Sequence, residues 1–265
     1  MRAIFKSKPL LEEAQALQLI TLFGWAVEHF DVDFFLAHTR IVEPTVKDFP
    51  DQVSSVEQMA QTVFNRVRDY AGMQNWPVTL LAPQQMPMQQ AFPQFSLTGG
   101  LRGEQVCVSE PPAMPIAMSY NPNQINQPQD MVASLAGTLA MILIHRVGKL
   151  PPGGEAHLPV AADVLAIYMG FGVMLSNSAY HFRGGCGSCY NAYANRQAAL
   201  SEAETIFVHA LVCYFKPEYN GAKHLKPHLR SLYKKAQKQL KGIIKSSPDP
   251  VLLALEERSR VALPG

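Results

Sequence analysis

The sequence predicts an α+β fold, mainly helical, with a small antiparallel or mixed sheet beside one central buried helix. Three observations carry this. Helical spacing of apolar residues dominates both ends of the chain, strand-like runs are confined to residues 73–120, and two uncharged apolar runs, Met131 to Ile144 and Val164 to Leu175, require burial on every side. With 265 residues and 48% hydrophobic content the chain can bury a sizeable core, which excludes global disorder. One domain over residues 1–265 is expected, with N-terminal helices and the sheet in 1–125 and a helical part in 126–265.

Taken in order, Pro9 followed by Leu10, Leu11, Glu12 and Glu13 gives a proline and then acids in a first turn, and the period through Leu17, Ile20 and Trp25 predicts a helix over 10–29. Phe34, Phe35, Ile41 and Val42 are aromatic and β-branched, and read as extended chain or loop. Ser54-Ser55-Val56-Glu57 is a capping box, after which Met59, Val63, Val67 and Tyr70 recur at helical spacing until Gly72. Val78 to Leu81, Gln105 to Val108 and Pro115 to Ser119 then read as three strands of one small sheet. A long loop from Pro83 to Gly103 carries Met86, Met88, Phe92 and Phe95.

Asn121-Pro122 and Gln127-Pro128 bracket a turn, Asp130 is placed to cap, and an apolar helix is expected from Met131 to Arg146, ended by Gly148 and Pro151-Pro152-Gly153-Gly154. A second buried helix runs from near Pro159 to Tyr180, before the glycines at 184, 185 and 187. Ser201-Glu202-Ala203-Glu204 is another capping box, opening a helix to Tyr214. The last long helix spans about 222–245, and with its predecessor it suits a hairpin of the tetratricopeptide sort. No internal repeat stands out.

The whole-chain net charge of +2 conceals an uneven distribution. Residues 219–248 hold Lys223, Lys226, Arg230, Lys234, Lys235, Lys238, Lys241 and Lys245 with no acid, so this segment carries +8 and the remainder −6. Leu225, Leu229, Leu232, Ala236, Leu240 and Ile243 make one apolar face of its helix, and the lysines fill the rest. Such a face serves solubility or an acidic partner. Nucleic acid is not expected, because only Arg230 and Tyr233 are available as readers.

Four cysteines are too few for a secreted disulfide framework, and the N-terminus lacks an apolar signal core, so the cytoplasm is expected. The two apolar runs fall short of the roughly 20 residues needed to cross a bilayer, so a membrane is not expected either.

The segment Ile116-Ala-Met-Ser-Tyr-Asn-Pro-Asn-Gln-Ile-Asn-Gln-Pro, the helix Met131-Val-Ala-Ser-Leu-Ala-Gly-Thr-Leu-Ala-Met, and Ala162-Asp-Val-Leu-Ala-Ile-Tyr-Met-Gly-Phe-Gly together resemble a family of uncharacterised bacterial zincin-like proteins. In that family the first helix reads Leu-Ala-His-Glu-Leu-Ala-His and the second Thr-Asp-Leu-Leu-Ala-Val-Tyr-Leu-Gly-Phe-Gly. Two histidines at i and i+4 hold zinc, the glutamate activates the metal-bound water, and an acid from the next helix completes the ligands. The resemblance implies a zincin-like fold with the motif emptied: Gly137, Thr138 and Met141 stand at the matching positions, and only Asp163 remains. No cofactor is therefore expected.

Asp163 also has an ordinary reading, as an acid favoured near the start of an apolar helix. A relocated metal site at His145, His157 and Asp163, with Glu155 as base, would restore a metal-dependent hydrolase; His145 equally suits the C-terminal end of its helix. Cys186-Gly-Ser-Cys189 has the spacing of half a zinc ribbon or a redox pair, with His181, Cys107 or Cys213 as further candidates. His209, mid-helix, reads as a satisfied core histidine. The functional expectation is a non-catalytic relative of zinc peptidases that binds an unidentified protein or peptide in the former cleft around Gly137, Thr138, Met141 and Asp163. The alternatives are the relocated hydrolase and a helical scaffold with a basic C-terminal face for an acidic partner.

Overall fold

Acids and glutamines at the head of an apolar period start the first helix. In the computed structural model, which describes residues 8–262 apart from 52, 54, 89, 90, 180–192, 247 and 248, α1 spans Glu13–His29 and the Glu12 amide donates to Gln15 Oε1 at 3.4 Å. The next segment differs from expectation. Asp31 takes a left-handed conformation and Val32–Ala37 coil into a short helix, α2. Tertiary packing overrides the extended propensity here: the Phe35 ring stacks on Tyr168 at 4.3 Å and meets Phe23 edge-on.

Helix α3 spans Val56–Tyr70. Its cap is Ser55, whose Oγ accepts from the Gln58 amide at 3.1 Å, while Ser54, the first residue of the predicted box, lies outside the described residues. The single three-stranded sheet is replaced by two separate ladders. Strand β1 (Val78–Leu81) pairs in parallel with β4 (Ile116–Ser119), from Val78 opposite Ile116 to Leu81 opposite Ser119. Strand β2 (Ser96–Thr98), inside the predicted loop, pairs antiparallel with β3 (Cys107–Glu110). The run expected from Gln105 joins its ladder only at Cys107, because Asn75 Nδ2 takes the carbonyls of Glu104 and Val106.

Two helical stretches form the centre. Helix α4 (Pro128–Val147) has proline in its first turn and ends at Gly148, with φ +67°. It packs along α5 (Leu158–Ala166) and α6 (Gly172–Ser178). The single helix predicted from 159 to 180 is broken by a wide turn, Ile167–Phe171, where Gly170 has φ +103°. A Cβ on Gly170 would lie 2.0 Å from the Arg40 carbonyl, and its own carbonyl accepts from the Val42 amide at 3.0 Å. The break thus seats the 40–42 loop on the core.

Helix α7 (Glu202–Tyr214) opens on the predicted box: Ser201 Oγ accepts from the Glu204 amide at 3.2 Å, and Glu204 Oε2 from the Ser201 amide at 2.8 Å. It packs against α8 (Pro227–Ser246), which starts later than expected. A further helix, α9 (Pro250–Ala262), follows and docks on α1. By length and composition the stretches 128–147 and 155–178 suffice to cross a membrane, which corrects the reading that both are too short. Their windows are 61% and 83% buried against the rest of the protein, as core helices are. The fold is mixed α+β and mainly helical, with few short strands.

Candidate functional site

On α4, residues 134, 138, 141 and 145 share one side, because steps of three and four return to the same face. Thr138, exposed, turns its hydroxyl back to the Ser134 carbonyl at 3.1 Å. Gly137 and Met141 are half-buried, and a Cβ on Gly137 would meet nothing within 4 Å. Three positions that carry metal-ligand and acid–base groups in the resembled family here offer a hydrogen, a satisfied hydroxyl and a thioether.

Asp163 does not line an open cleft with them. Because α5 begins at Leu158, Asp163 falls in the second turn, beyond the free amides that a first-turn acid would meet. The residue is 5% exposed. Oδ1 accepts from Arg196 Nη1 at 2.6 Å, and Oδ2 from the amides of Ala199 and Leu200 at 2.9 and 3.2 Å. Asp130 acts in the same way: it accepts from the Arg196 amide at 2.8 Å and is no helix cap. Burial raises the Asp130 carboxyl above its ordinary value, and hydrogen bonds from the Arg196 backbone and Asn195 oppose that rise. Two acids of the apolar helices therefore tether one strap, residues 193–200, across the head of both. The predicted contact surface at Asp163 is corrected to a buried anchor.

The relocated metal site is not assembled. His145 is exposed with its ring 5.9 Å from that of Phe92, His157 Nε2 meets Gln18 Nε2 at 3.2 Å, and Asp163 is held by Arg196. Glu155 is exposed on the turn before α5. Among the described residues no three histidine, cysteine or acidic side chains come together as a metal site. Cys186, Cys189 and His181 lie outside the described residues; Cys107 is exposed and Cys213 buried, both as free thiols.

His209 is wholly buried, with Nε2 2.9 Å from the Gly221 carbonyl and Cys213 Sγ at 3.8 Å. Burial alone would lower its pKa, but Cys213 and the Gly221 carbonyl together raise it. Burial also raises the pKa of Tyr233, whose ring lies 5.6 Å from that of His209. The cysteine–histidine pair serves packing of α7 on α8, as expected of a satisfied core histidine.

What does open to solvent is a recess of about 220 Å³ one turn from Thr138 towards the start of α4. The end of β4 contributes Ser119, the following turn Asn121 and Gln124, α4 Ser134, and the strap Asn195 and Arg196; Met131 and Leu135 supply apolar wall. Gln124 Nε2 donates to Ser134 Oγ at 3.1 Å. Gln124 Oε1 and Arg196 Nη2, both buried, have no hydrogen-bond partner among the described residues. The surface is suited to hydrogen bonding, and among the described residues that line it no nucleophile has an adjacent base.

The strap is what the sequence reading lacks. Its signal is indirect: Asp130 and Asp163 sit in helices too apolar to leave an acid unpaired, so a cation had to come from elsewhere.

On α8, Leu229, Tyr233, Ala236 and Leu240 are buried. Lys223, Arg230, Lys234, Lys235, Lys238 and Lys241 are exposed, and Lys226 is half-buried, with its amide donating to Asn177 Oδ1 at 2.9 Å.

No protein-family model matches the chain, and no match is found among curated proteins or solved structures.

Proposed function

We propose that this chain is a zincin-like protein without peptidase chemistry, which binds a peptide segment in the recess between β4, α4 and the strap. One observation carries the reading: a polar recess lies where a strand end meets the helix whose motif positions hold Gly137, Thr138 and Met141. Side-chain amides and hydroxyls there suit the donors and acceptors of peptide backbone better than the large apolar side chain that a roomier cleft would suit. Asp163 contributes by holding Arg196 and the strap in place, not by touching the ligand.

The test is retention of short peptides from a random hexapeptide mixture, identified by mass spectrometry, with Ser134→Trp as the variant that fills the recess. The wild-type protein retains a defined set and the variant loses it. Equal retention by both sinks the recess. Stoichiometric zinc lost in His145→Ala, with peptide cleavage, sinks the non-catalytic reading.

A further inference from the structure

The exposed side of α8 is more ordered than a solubilising surface needs to be. Arg230, Lys234, Lys238, Lys241 and Lys245 follow steps of four, four, three and four residues, and all five are exposed. At 100° per residue they lie within an arc of about 80°, and at 1.5 Å per residue they run for about 22 Å. This stripe faces away from the buried line of Leu229, Tyr233, Ala236 and Leu240. No acid interrupts residues 219–248. At the stripe's edge a groove separates α8 from the N-terminal segment, with Lys235 and Lys238 on one wall and Glu13 on the other.

We infer that this stripe docks a partner helix bearing Glu or Asp along one face. The charge complement is direct, and a second helix repeats its side chains with the same rise, so acids at steps of three and four meet the cations in register along the full length. Two other polyanions fit less well. Tyr233 is buried and Arg230 spends Nε on the Leu225 carbonyl at 3.0 Å, so the stripe itself offers bases neither an exposed aromatic nor a free guanidinium fork. A long duplex also meets the remainder of the chain, which carries −6. For a membrane surface, the arc offers no large apolar side chain to insert: the one further α8 position within it is Pro227 at the helix start, and the residues flanking it, Ser231 and Gln237, are polar.

The probe is a fluorescein-labelled, alanine-rich 21-residue helix with four glutamates at i, i+4, i+7 and i+11, compared with a peptide of identical composition whose glutamates are spread around the helix. Anisotropy titrations at 50 and 300 mM NaCl give the affinities. The one-faced peptide binds at least tenfold more tightly than the spread one, weakens at least tenfold at the higher salt, and loses about tenfold against K234Q/K238Q/K241Q. Equal affinity for both peptides overturns the inference. So does tighter binding of a 20-base-pair duplex, or of phosphatidylserine vesicles, under the same conditions. The peptide comparison uses the wild-type protein, so it holds even if the triple variant misfolds. Ser134→Trp leaves this binding unchanged, which separates it from the recess.

Discussion

The corner under the strap and the exposed arc of α8 are both rich in charge, and they use it in opposite ways. At the corner Asp163 and Arg196 are 5% and 7% exposed, and they pair with each other across 33 residues of chain. Along α8 the five cations of the arc are exposed, share one face and have no acid in their own segment of sequence. A buried charge is expensive unless paired, so its removal is read as lost stability; an exposed one is cheap to keep, and its removal is read as lost binding.

The contrast is broken most forcefully at Asp163. Asp163→Ala leaves Arg196 buried without its carboxylate and releases two backbone amides, for an expected loss of about 3–5 kcal/mol in urea unfolding. Asp163→Leu combined with Arg196→Met should lose much less; equal losses would show that the pair is not the anchor. Gly170→Ala forces a Cβ against the Arg40 carbonyl at positive φ, and about 1–3 kcal/mol is expected by the same measurement. Ser201→Ala removes one half of a closed capping box and costs about 1 kcal/mol.

A weaker effect depends on pH. Burial raises Asp130 above its ordinary 3.8, so the folded chain holds that proton more tightly than the unfolded one. Stability from this group is greatest below 3.8 and falls as pH rises towards the raised value. Asp130→Asn keeps an acceptor for the Arg196 amide and removes that slope. A stability difference between the two proteins that does not change with pH refutes the assignment. Least of all, Lys234→Gln on the arc shifts unfolding by no more than about 0.5 kcal/mol, which a thermal melt checks.

Legibility in the sequence follows the span of each interaction. The box at Ser201 and Glu204 and the stop at Gly148 were readable because their partners lie within one helical turn. The pairing of β1 with β4, the helical turn at Phe35 and the strap were not, since each depends on residues far along the chain. Gly170 illustrates the boundary: it looks like any small residue in an apolar helix, and only the Arg40 carbonyl explains its conformation. Helix α9 was readable after all. Asp249 Oδ1 accepts from the amides of Val251 and Leu252, and Pro250 occupies the first turn, but the preceding basic run draws attention away from that start signal. Of the site, the shared side of α4 that carries Thr138 and Met141 was visible from helical spacing, while the recess beside it was assembled from four separate segments.

The two apolar stretches have a further consequence, for synthesis. The stretch 155–178 is covered by α1, which is made first, and by α7, which is made after it, while 128–147 packs on α3 and on the second stretch itself. Between Ser178 and Tyr214 a ribosome adding 5–20 residues per second needs roughly 2–7 s. For that interval, surfaces apolar enough to suit a bilayer await their cover. The nascent chain is thus most dependent on chaperones before α7 emerges, and a truncation ending near residue 200 should aggregate where the full chain stays in solution.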